Sequence, residues 1–359
     1  RSDFRCVMHN IRLKVLWVLI VNPMLCVFAM QKQEYQLVTV AFYNLENLFD
    51  TENDPITFDD DRTPEGKDHW TQEIYADKLL KMASVIAQIG PPEATTAPVL
   101  VGVAEIENRK VLEDLVNQTP LKQSRYGIVH YDSPDRRGID VGLLYDPKLF
   151  QVVSSKVYAL KLYDPERENR RIYTRDQLLV SGNLAGERMH ILVNHWPSRS
   201  GGEALTRPRR MAAAALNKRI IDSILSEEPY AKIISMGDLN DDPKDKSLKK
   251  ILKTKARPEQ VGLQEIYNPM ERMAKRGQGT LAYRDSWNLF DQVLLSAAWL
   301  QRDYEHFQYY KAGIFNKRFL QTPEGPYKGY PFRSFANGKY TGGYSDHFPV
   351  YVCLLRKAD

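Results

Sequence analysis

The stretch KIISMGDLND, residues 232–241, places an acid and an amide directly after a short apolar run. Apolar residues, many of them β-branched, between turn formers are typical of a buried strand. Residues i and i+2 of a strand point to the same face, so Asp238 and Asn240 are expected to face together. A buried strand with such an end can direct polar side chains into a shared cleft.

The same arrangement recurs at three other apolar runs. The polar residues at their ends are Asn44 and Glu46, Glu105, and Asp346 with His347. Asn44 and Glu46 are again i and i+2, and we expect them to share a face if the strand continues that far. Carboxylate oxygens bind hard cations such as Mg²⁺, and an amide donates hydrogen bonds to phosphate oxygens. Together the four strand ends predict a metal-assisted phosphoryl-transfer site.

Two further positions complete the set of candidates. His195 and Arg199 lie in the stretch NHWPSR, residues 194–199, and Asp291 is the first residue of an apolar run. Histidine transfers protons near neutral pH, and arginine binds phosphate bidentately. Asp291 is a candidate for orienting His347, as the third group of a catalytic triad orients its histidine. Singly, acids and amides at strand ends are common turn residues, so only their joint arrangement indicates a site.

The elements along the chain predict one α/β domain. Nine strands are predicted at residues 37–45, 99–106, 126–131, 139–145, 178–184, 190–196, 232–239, 291–296 and 349–355. Three helices are predicted at 75–89, 109–116 and 208–225, with Thr71 and Asn108 as N-caps of the first two. The acidic stretch 50–68 and the stretch 311–343 are expected to be long loops. No linker divides these elements, so the domain is expected to cover residues 35–359.

The N-terminal residues predict an exported protein. Residues 8–29 contain basic, then apolar, then small residues in the order of a secretory signal peptide. The apolar run at 15–28 is shorter than the ~20 residues of a membrane-spanning helix, and a retained membrane anchor is the alternative. Residues 1–7 precede a plausible start at Met8 and are predicted to be an untranslated leader. We therefore expect a periplasmic or extracellular location.

Composition excludes few partners. The 359 residues are 43% hydrophobic and 26% charged, which is ordinary for a globular protein. The net charge is +5, but the first 29 residues carry four basic residues and one acidic residue, so the remainder is near +2. Whole-chain charge is therefore weak support for a polyanionic partner. Only Cys353 lies beyond the signal segment, which excludes an intrachain disulfide in the mature domain. No obligate protein partner is indicated.

The candidate residues occur in a recognisable order. The pattern is Asn44-x-Glu46, Glu105, His195, Gly237-Asp238-x-Asn240, Asp291 and Ser345-Asp346-His347. This order resembles the endonuclease/exonuclease/phosphatase superfamily, and the stretches around Asn44, His195 and His347 look most like its exported bacterial members. The family acid after Asn-x is often Asp, whereas here it is Glu46, which is longer by one methylene.

The resemblance implies a four-layered α/β/β/α sandwich, in which two mixed β-sheets pack face to face between helices. It implies that Glu46 and Glu105 bind a divalent metal, with Asp346 near it. The expected ion is Mg²⁺, with Mn²⁺ or Ca²⁺ as alternatives. It further implies that Asn44 and Asn240 hold the phosphate.

The resemblance also implies the catalytic roles. Asp238 would position or deprotonate the attacking water. His347, supported by Asp291, would act on the phosphate or as the general base. His195 would stabilise the transition state or assist the leaving oxygen. The implied activity is metal-dependent hydrolysis of phosphoester bonds, as in a nuclease or phosphodiesterase.

The substrate is less constrained. A basic cluster beside His195 favours nucleic acid, whose phosphates require cationic contacts; its residues are Arg199, Arg207, Arg209 and Arg210. The same arginines fit the polar face of a helix start, so a lipid head group or a sugar phosphate is the alternative substrate.

Two other functional classes fit the sequence less well. A calcineurin-type metallophosphatase fits Gly237 to Asp241 superficially, but its upstream Asp-x-His and downstream Gly-Asn-His motifs are absent from the sequence. A catalytically silent binding protein on the same fold is the second, and the complete set of site residue types argues against it.

Overall fold

Two mixed β-sheets of six strands each form the centre of the computed structural model, which describes residues 34–164 and 166–358. The first sheet has the spatial order Gln308–Ile314, Val350–Lys357, Tyr35–Leu48, Leu100–Ile106, Asp140–Tyr145 and Gly127–His130. The second has the order Ile266–Tyr267, Asp291–Ser296, Ile233–Asp238, Glu187–His195, Gln177–Leu184 and Phe150–Tyr158. All nine predicted strands are present among these.

Three two-stranded hairpins lie outside the large sheets. They pair Leu162–Asp164 with Arg170–Ile172, Leu281–Tyr283 with Ser286–Asn288, and Phe335–Ala336 with Lys339–Tyr340. The last hairpin and the strand Gln308–Ile314 lie in or overlap the stretch 311–343, which was predicted to be a long loop without strands. That prediction was wrong for these residues. The stretch 50–68 contains a single short 3₁₀ turn, Asp60–Arg62, as expected of a loop.

The α-helices are α1 (Gln72–Ile86), α2 (Arg109–Val116), α3 (Glu203–Glu227) and the short α4 (Met270–Ala274). Thr71 Oγ1 accepts a hydrogen bond from the N–H of Ile74 at 3.4 Å, and Asn108 Oδ1 accepts one from Val111 at 3.0 Å. Both predicted N-caps are therefore confirmed. α3 begins five residues before the predicted start, with Pro208 inside the helix.

Side chains along each strand point alternately to the two faces of its sheet, so each face has its own hydrophobic core. In the first sheet, Phe42 lies between the two sheets and the neighbouring Tyr43 packs under α1 and α2. In the second sheet, Met236 lies between the sheets and Ile233 packs under α3. Successive strand residues point to opposite faces, so each sheet is covered on both sides. The order helices, sheet, sheet, helix confirms the predicted four-layered sandwich.

Strand register brings the polar strand ends to one edge of the sandwich. The first two strands along the chain run parallel, and Asn44 lies one register position before Glu105. In the second sheet, Asp238 pairs with His195 on a parallel neighbour and with Asp291 on an antiparallel neighbour. Residues far apart in the chain therefore share one end of the structure.

The backbone leaves the extended conformation at these strand ends. Glu46, Glu105 and Asn240 have positive φ angles of 48°, 59° and 50°. Each non-glycine residue in this region costs of order 1–3 kcal/mol, and such residues concentrate at functional sites. The N–H of Glu46 donates to Asn44 Oδ1 and the N–H of Asn240 donates to Asp238 Oδ1, each at 2.9 Å. Tight turns therefore replace the strand alternation that we predicted would give each pair a common face.

The N-terminal predictions fall outside the described residues. The leader at 1–7 and the signal peptide at 8–29 both precede residue 34, so export stays a prediction. Within the part of the chain that the structure describes, no helix combines the length and apolar character needed to cross a membrane. Cys353 is buried and carries a free thiol.

Candidate active site

Asp238 is the central group at the edge where the strands end. Its side chain is buried; Asn44 Nδ2 donates to Oδ2 at 3.1 Å, and the backbone N–H of Asn240 donates to Oδ1 at 2.9 Å. His195 Nε2 lies 3.6 Å and His347 Nε2 lies 3.9 Å from Oδ2. Four other predicted site residues therefore meet around the carboxyl group of Asp238.

His347 is paired with a buried carboxylate. Its Nδ1 lies 2.7 Å from Oδ2 of Asp291, a residue with no exposed surface. Burial opposes protonation of the imidazole, but the hydrogen-bonded carboxylate of Asp291 and the nearby Asp238 raise the pKa of His347 well above its usual value. His347 is therefore a cation at neutral pH, and Asp291 lies where an orienting role requires it.

His195 has the opposite protonation state. Its side chain is buried, and burial together with the positive charges of Arg175 and Arg137 holds its pKa well below the usual value. Its Nε2 lies 3.8 Å from Oε1 of Glu105. The site thus contains one neutral imidazole and one imidazolium, and both place Nε2 within 4 Å of Asp238 Oδ2.

Asp238 titrates close to neutral pH. Burial raises its pKa to about 7, with a further contribution from the charge of Asp291, while the imidazolium of His347 acts in the opposite direction. A general base is most effective when its pKa lies near the working pH. The raised pKa of Asp238 therefore lies in the range in which general bases work.

Two of the three predicted metal ligands, Glu46 and Asp346, contact the guanidinium of Arg333. Glu46 is buried, with Oε1 3.3 Å from Nε of Arg333, and Oδ2 of Asp346 lies 3.4 Å from Nη2 of the same guanidinium. Although desolvation opposes it, the charges of Asp346, Glu46 and Glu105 raise the pKa of Arg333. Burial and the nearby Asp346 raise the pKa of Glu46. This cluster of carboxylates attracts a cation, and its oxygen donors fit a hard divalent metal.

Tighter groups of metal-ligand type occur elsewhere. In residues 34–164 and 166–358, two sets of three side chains place ligand atoms within 4.8 Å of one another: Asp238 with Asp291 and His347, and His130 with Asp132 and Asp140. Glu46, Glu105 and Asp346 do not form a set this compact. The first set belongs to the site, where Nδ1 of His347 is already hydrogen-bonded to Asp291.

Arg199 is engaged by the loop that follows Asp238. Its Nε donates to the carbonyl of Asn240 at 2.8 Å, and its Nη2 lies 2.6 Å from Asp245 Oδ2 and 3.2 Å from Asp241 Oδ1. The guanidinium also stacks on the ring of Phe290, with Cζ 4.5 Å from the centroid. These contacts hold the loop in place, and they leave the predicted phosphate contact of Arg199 without support from the geometry.

Two other arginines of the predicted basic cluster, Arg207 and Arg210, behave similarly. Arg210 is fully buried and donates to Asp241 Oδ1 at 2.5 Å, and Arg207 forms an ion pair with Glu203 on the same helix. The alternative interpretation, a polar helix start, describes these two side chains better than a nucleic-acid surface.

Two functional residues were missed in the sequence. Lys78 is fully buried on α1, and its Nζ donates to the carbonyl of Glu46 and to Ser334 Oγ, each at 2.6 Å. Burial lowers the pKa of Lys78 to about 8. The sequence contained a sign that Lys78 is buried. It lies on the apolar face of α1, three residues after Tyr75 and four before Met82. Arg333 gave no such signal, since its loop carries no periodic pattern.

Solved structures share this fold at low sequence identity. An endonuclease/exonuclease/phosphatase family protein from Bacteroides thetaiotaomicron superposes with a TM-score of 0.53 and 16% identity, over 90% of this chain and 97% of that one. Its counterpart from Bacteroides vulgatus gives 0.51 and 13%, over 89% and 98%. A humanized D. rerio TDP2 with 14 mutations gives 0.52 and 14%, over 89% and 98%. No curated protein matches the chain.

The sequence also matches a family model over nearly the whole described domain. The model is that of the endonuclease/exonuclease/phosphatase family, and the match covers residues 39–356. The matched residues include both sheets and every candidate site residue. The chain therefore belongs to the endonuclease/exonuclease/phosphatase family of phosphoester hydrolases.

Proposed function

We propose that the chain is a divalent-metal-dependent phosphodiesterase whose substrate is nucleic acid. The observation that carries this proposal is the environment of Asp238. A buried carboxyl group with a pKa of about 7 lies between a neutral His195 and a cationic His347, beside a cluster of acidic side chains. This combination supplies a base, a hydrogen-bond donor for a phosphate and a place for a metal ion.

The metal would be held by Glu105 and Glu46, with Asp346 beside them. A divalent ion polarises a phosphoryl oxygen and neutralises the charge that develops on it. The guanidinium of Arg333 contacts Glu46 and Asp346. Its presence supports the proposal that these carboxylates need a positive charge beside them. Mg²⁺ is the ion we propose, and Mn²⁺ or Ca²⁺ fit the same oxygen donors.

The protein groups account for the movement of protons. Asp238 accepts a proton from the attacking water, whose oxygen forms the new bond to phosphorus. Asn44 Nδ2 lies beside this carboxylate, while Asn240 Nδ2 donates to the carbonyl of Trp196 at 3.0 Å; both amides would hold the phosphate. The imidazolium of His347 donates to a non-bridging oxygen, where negative charge accumulates. The bond to the leaving oxygen breaks; the neutral His195, beside Glu105 and Asp238, donates a hydrogen bond to that oxygen, which takes a proton from solvent, and Asp238 releases its proton to solvent.

The substrate proposal depends on cationic groups at the edge of the site. The side chain of Arg137 is 49% exposed and that of Arg333 is 52% exposed, so both are accessible to a phosphate in the cleft. Arg175 is buried behind them and bound to Asp135 at 2.8 Å. A strand of nucleic acid requires several such contacts along its backbone. A lipid head group or a sugar phosphate needs fewer and is the second candidate.

We expect hydrolysis to depend on added metal. Purified protein is assayed on single-stranded and plasmid DNA, RNA, sphingomyelin, sugar phosphates and bis(p-nitrophenyl) phosphate, with Mg²⁺, Mn²⁺, Ca²⁺ or chelator. Activity should be highest on a nucleic acid, should disappear with chelator and should return with Mg²⁺ or Mn²⁺. Equal rates with chelator would exclude the metal-dependent mechanism, and no hydrolysis of any ester would favour a catalytically silent protein.

The rate should follow a bell-shaped pH profile. The carboxylate of Asp238 is the active form, so kcat rises as the pH increases through its pKa of about 7, or lower where a bound dication adds positive charge. The imidazolium of His347 is also required, and its raised pKa means that kcat falls only at alkaline pH. Steady-state rates between pH 5 and 10 test this. A rate that decreases from pH 6 to 8 would contradict the assignment of Asp238 as the base.

A further inference from the structure

A cavity of about 450 Å³ lies beside the candidate active site. Its walls are the loop around residues 62–68 and the hairpin that pairs Phe335–Ala336 with Lys339–Tyr340; its charged lining residues are Arg62, Lys67, Asp68 and Arg333. Cavities that bind small ligands usually measure roughly 300–1,000 Å³, so this one is large enough for a single nucleotide.

Arg333 connects the cavity to the acidic cluster. Its side chain lines the cavity, while its Nε lies 3.3 Å from Glu46 and its Nη2 lies 3.4 Å from Asp346. A ligand in the cavity would therefore lie next to a phosphate bound to the metal ion that these carboxylates would hold. This arrangement suits a substrate that extends beyond the bond to be cleaved.

The charged lining favours an anion. Three cationic side chains and one acid line it; Asp68 lies 3.0 Å from Nη1 of Arg62, and Arg333 contacts Glu46 and Asp346, so Lys67 carries the unbalanced charge. Lys67 is exposed and has no hydrogen bond or ion pair within the described residues. Its ammonium group is therefore free to bind a phosphate without breaking an existing contact.

An aromatic ring forms the apolar part of the lining. Phe335 packs against Trp70 with ring centroids 5.5 Å apart and against Tyr340 at 5.7 Å, which fixes its position. The guanidinium of Arg62 lies over the same ring, with Cζ 5.4 Å from the centroid. Aromatic rings with neighbouring arginines bind the bases of single-stranded nucleic acids by stacking.

We propose that this cavity is a subsite for the nucleotide adjacent to the scissile phosphodiester. Arg62 and Lys67 bind its phosphate, and Phe335 faces its base or sugar. The inference rests on the proposed function, because it names where the nucleic acid continues beyond the cleaved bond. It also predicts that the enzyme distinguishes substrates by whether they carry a second phosphate.

The test compares a substrate that reaches the subsite with one that is too small to do so. The variants are Lys67→Ala, the double variant Arg62→Ala/Lys67→Ala and the control Lys148→Ala. Lys148 is an exposed lysine that follows the strand Asp140–Tyr145, at the end of the first sheet far from Glu105. It forms no ion pair in the described residues. The substrates are a single-stranded hexanucleotide and bis(p-nitrophenyl) phosphate.

We expect the ratio of kcat/KM for the hexanucleotide to that for the small diester to fall about tenfold in the double variant, chiefly through KM. Lys67→Ala, which breaks no internal contact, should lower the ratio by a smaller factor, and Lys148→Ala should not change it. The dependence of log KM on log salt concentration should also become shallower by about one for each phosphate contact that is lost.

Different outcomes separate the two proposals. An unchanged ratio and an unchanged salt slope in both variants, with wild-type hydrolysis of both substrates, would overturn the subsite and leave the proposed function intact. Equal losses on both substrates would show that these residues only stabilise the structure, and would also overturn the subsite. If the wild type cleaves the small diester but no nucleic acid, the proposed substrate is wrong and the subsite is withdrawn with it.

Discussion

Replacing Asp238 by Asn should lower kcat by about 10² to 10³ while leaving the protein folded. The amide has nearly the same shape as the carboxyl group, and its oxygen can still accept the hydrogen bond from the N–H of Asn240. The protonatable carboxylate is lost, so the attacking water no longer has a base with a pKa of about 7. The amide loses the hydrogen bond that Asn44 Nδ2 donates to Oδ2, but burial of an ionised carboxylate is unfavourable, so stability should change by no more than about 1 kcal/mol.

The measurement is kcat for bis(p-nitrophenyl) phosphate with saturating Mg²⁺, together with a thermal unfolding curve. Asp222→Asn is the matched control, because Asp222 is a half-exposed acid on α3 that pairs only with Lys218 within the described residues. The variant Asp238→Asn with a normal rate would rule out Asp238 as the base. A large fall in the unfolding temperature would instead assign it a structural role.

Replacing His347 by Ala should lower kcat by at least about 10² on the same substrate. The imidazolium is the only cationic side chain within 4 Å of Asp238 Oδ2, among the described residues, that carries its charge at neutral pH. Its loss removes the hydrogen bond to the non-bridging oxygen. The exposed His306, which lies 3.8 Å from Glu187, provides the control His306→Ala.

Asp291→Asn separates positioning from direct catalysis. The carboxylate of Asp291 raises the pKa of His347, so the amide should let that pKa fall and should shift the alkaline limb of the pH profile to lower pH. A purely structural role of Asp291 would lower kcat equally at every pH. Normal kcat in His347→Ala, or an unshifted alkaline limb in Asp291→Asn, would contradict the assigned roles.

The strand pattern predicted the fold well because most strands are central. Residues such as Phe42 and Met236 are buried between the sheets, and their neighbours are buried under helices, so the runs are apolar throughout. The three missed strands of the large sheets, Phe150–Tyr158, Ile266–Tyr267 and Gln308–Ile314, are all edge strands. An edge strand is less enclosed than a central one. The two longer strands accordingly contain polar or exposed residues, while Ile266–Tyr267 has too few residues to form a periodic pattern.

The candidate site was predicted unevenly for similar physical reasons. The convergence of Asp238, Asp291 and His347 follows from strand ends, which sequence patterns locate. The contacts of Arg333 with Glu46 and Asp346 arise from a loop without periodicity, and loop side chains cannot be placed by spacing. The sequence does not show that Arg199 is already paired. Its partners, such as Asp245, become neighbours only in the folded chain, so it was predicted to be a phosphate ligand.

We infer that carboxylates from separate strand ends bind a dication beside Asp238. Anomalous diffraction from crystals soaked in Mn²⁺ tests it directly. We predict a peak within about 2.5 Å of the Glu105 or Glu46 carboxylate, with Arg333 displaced from between Glu46 and Asp346. A single peak at His130, Asp132 and Asp140, with none near Glu105, would contradict the claim.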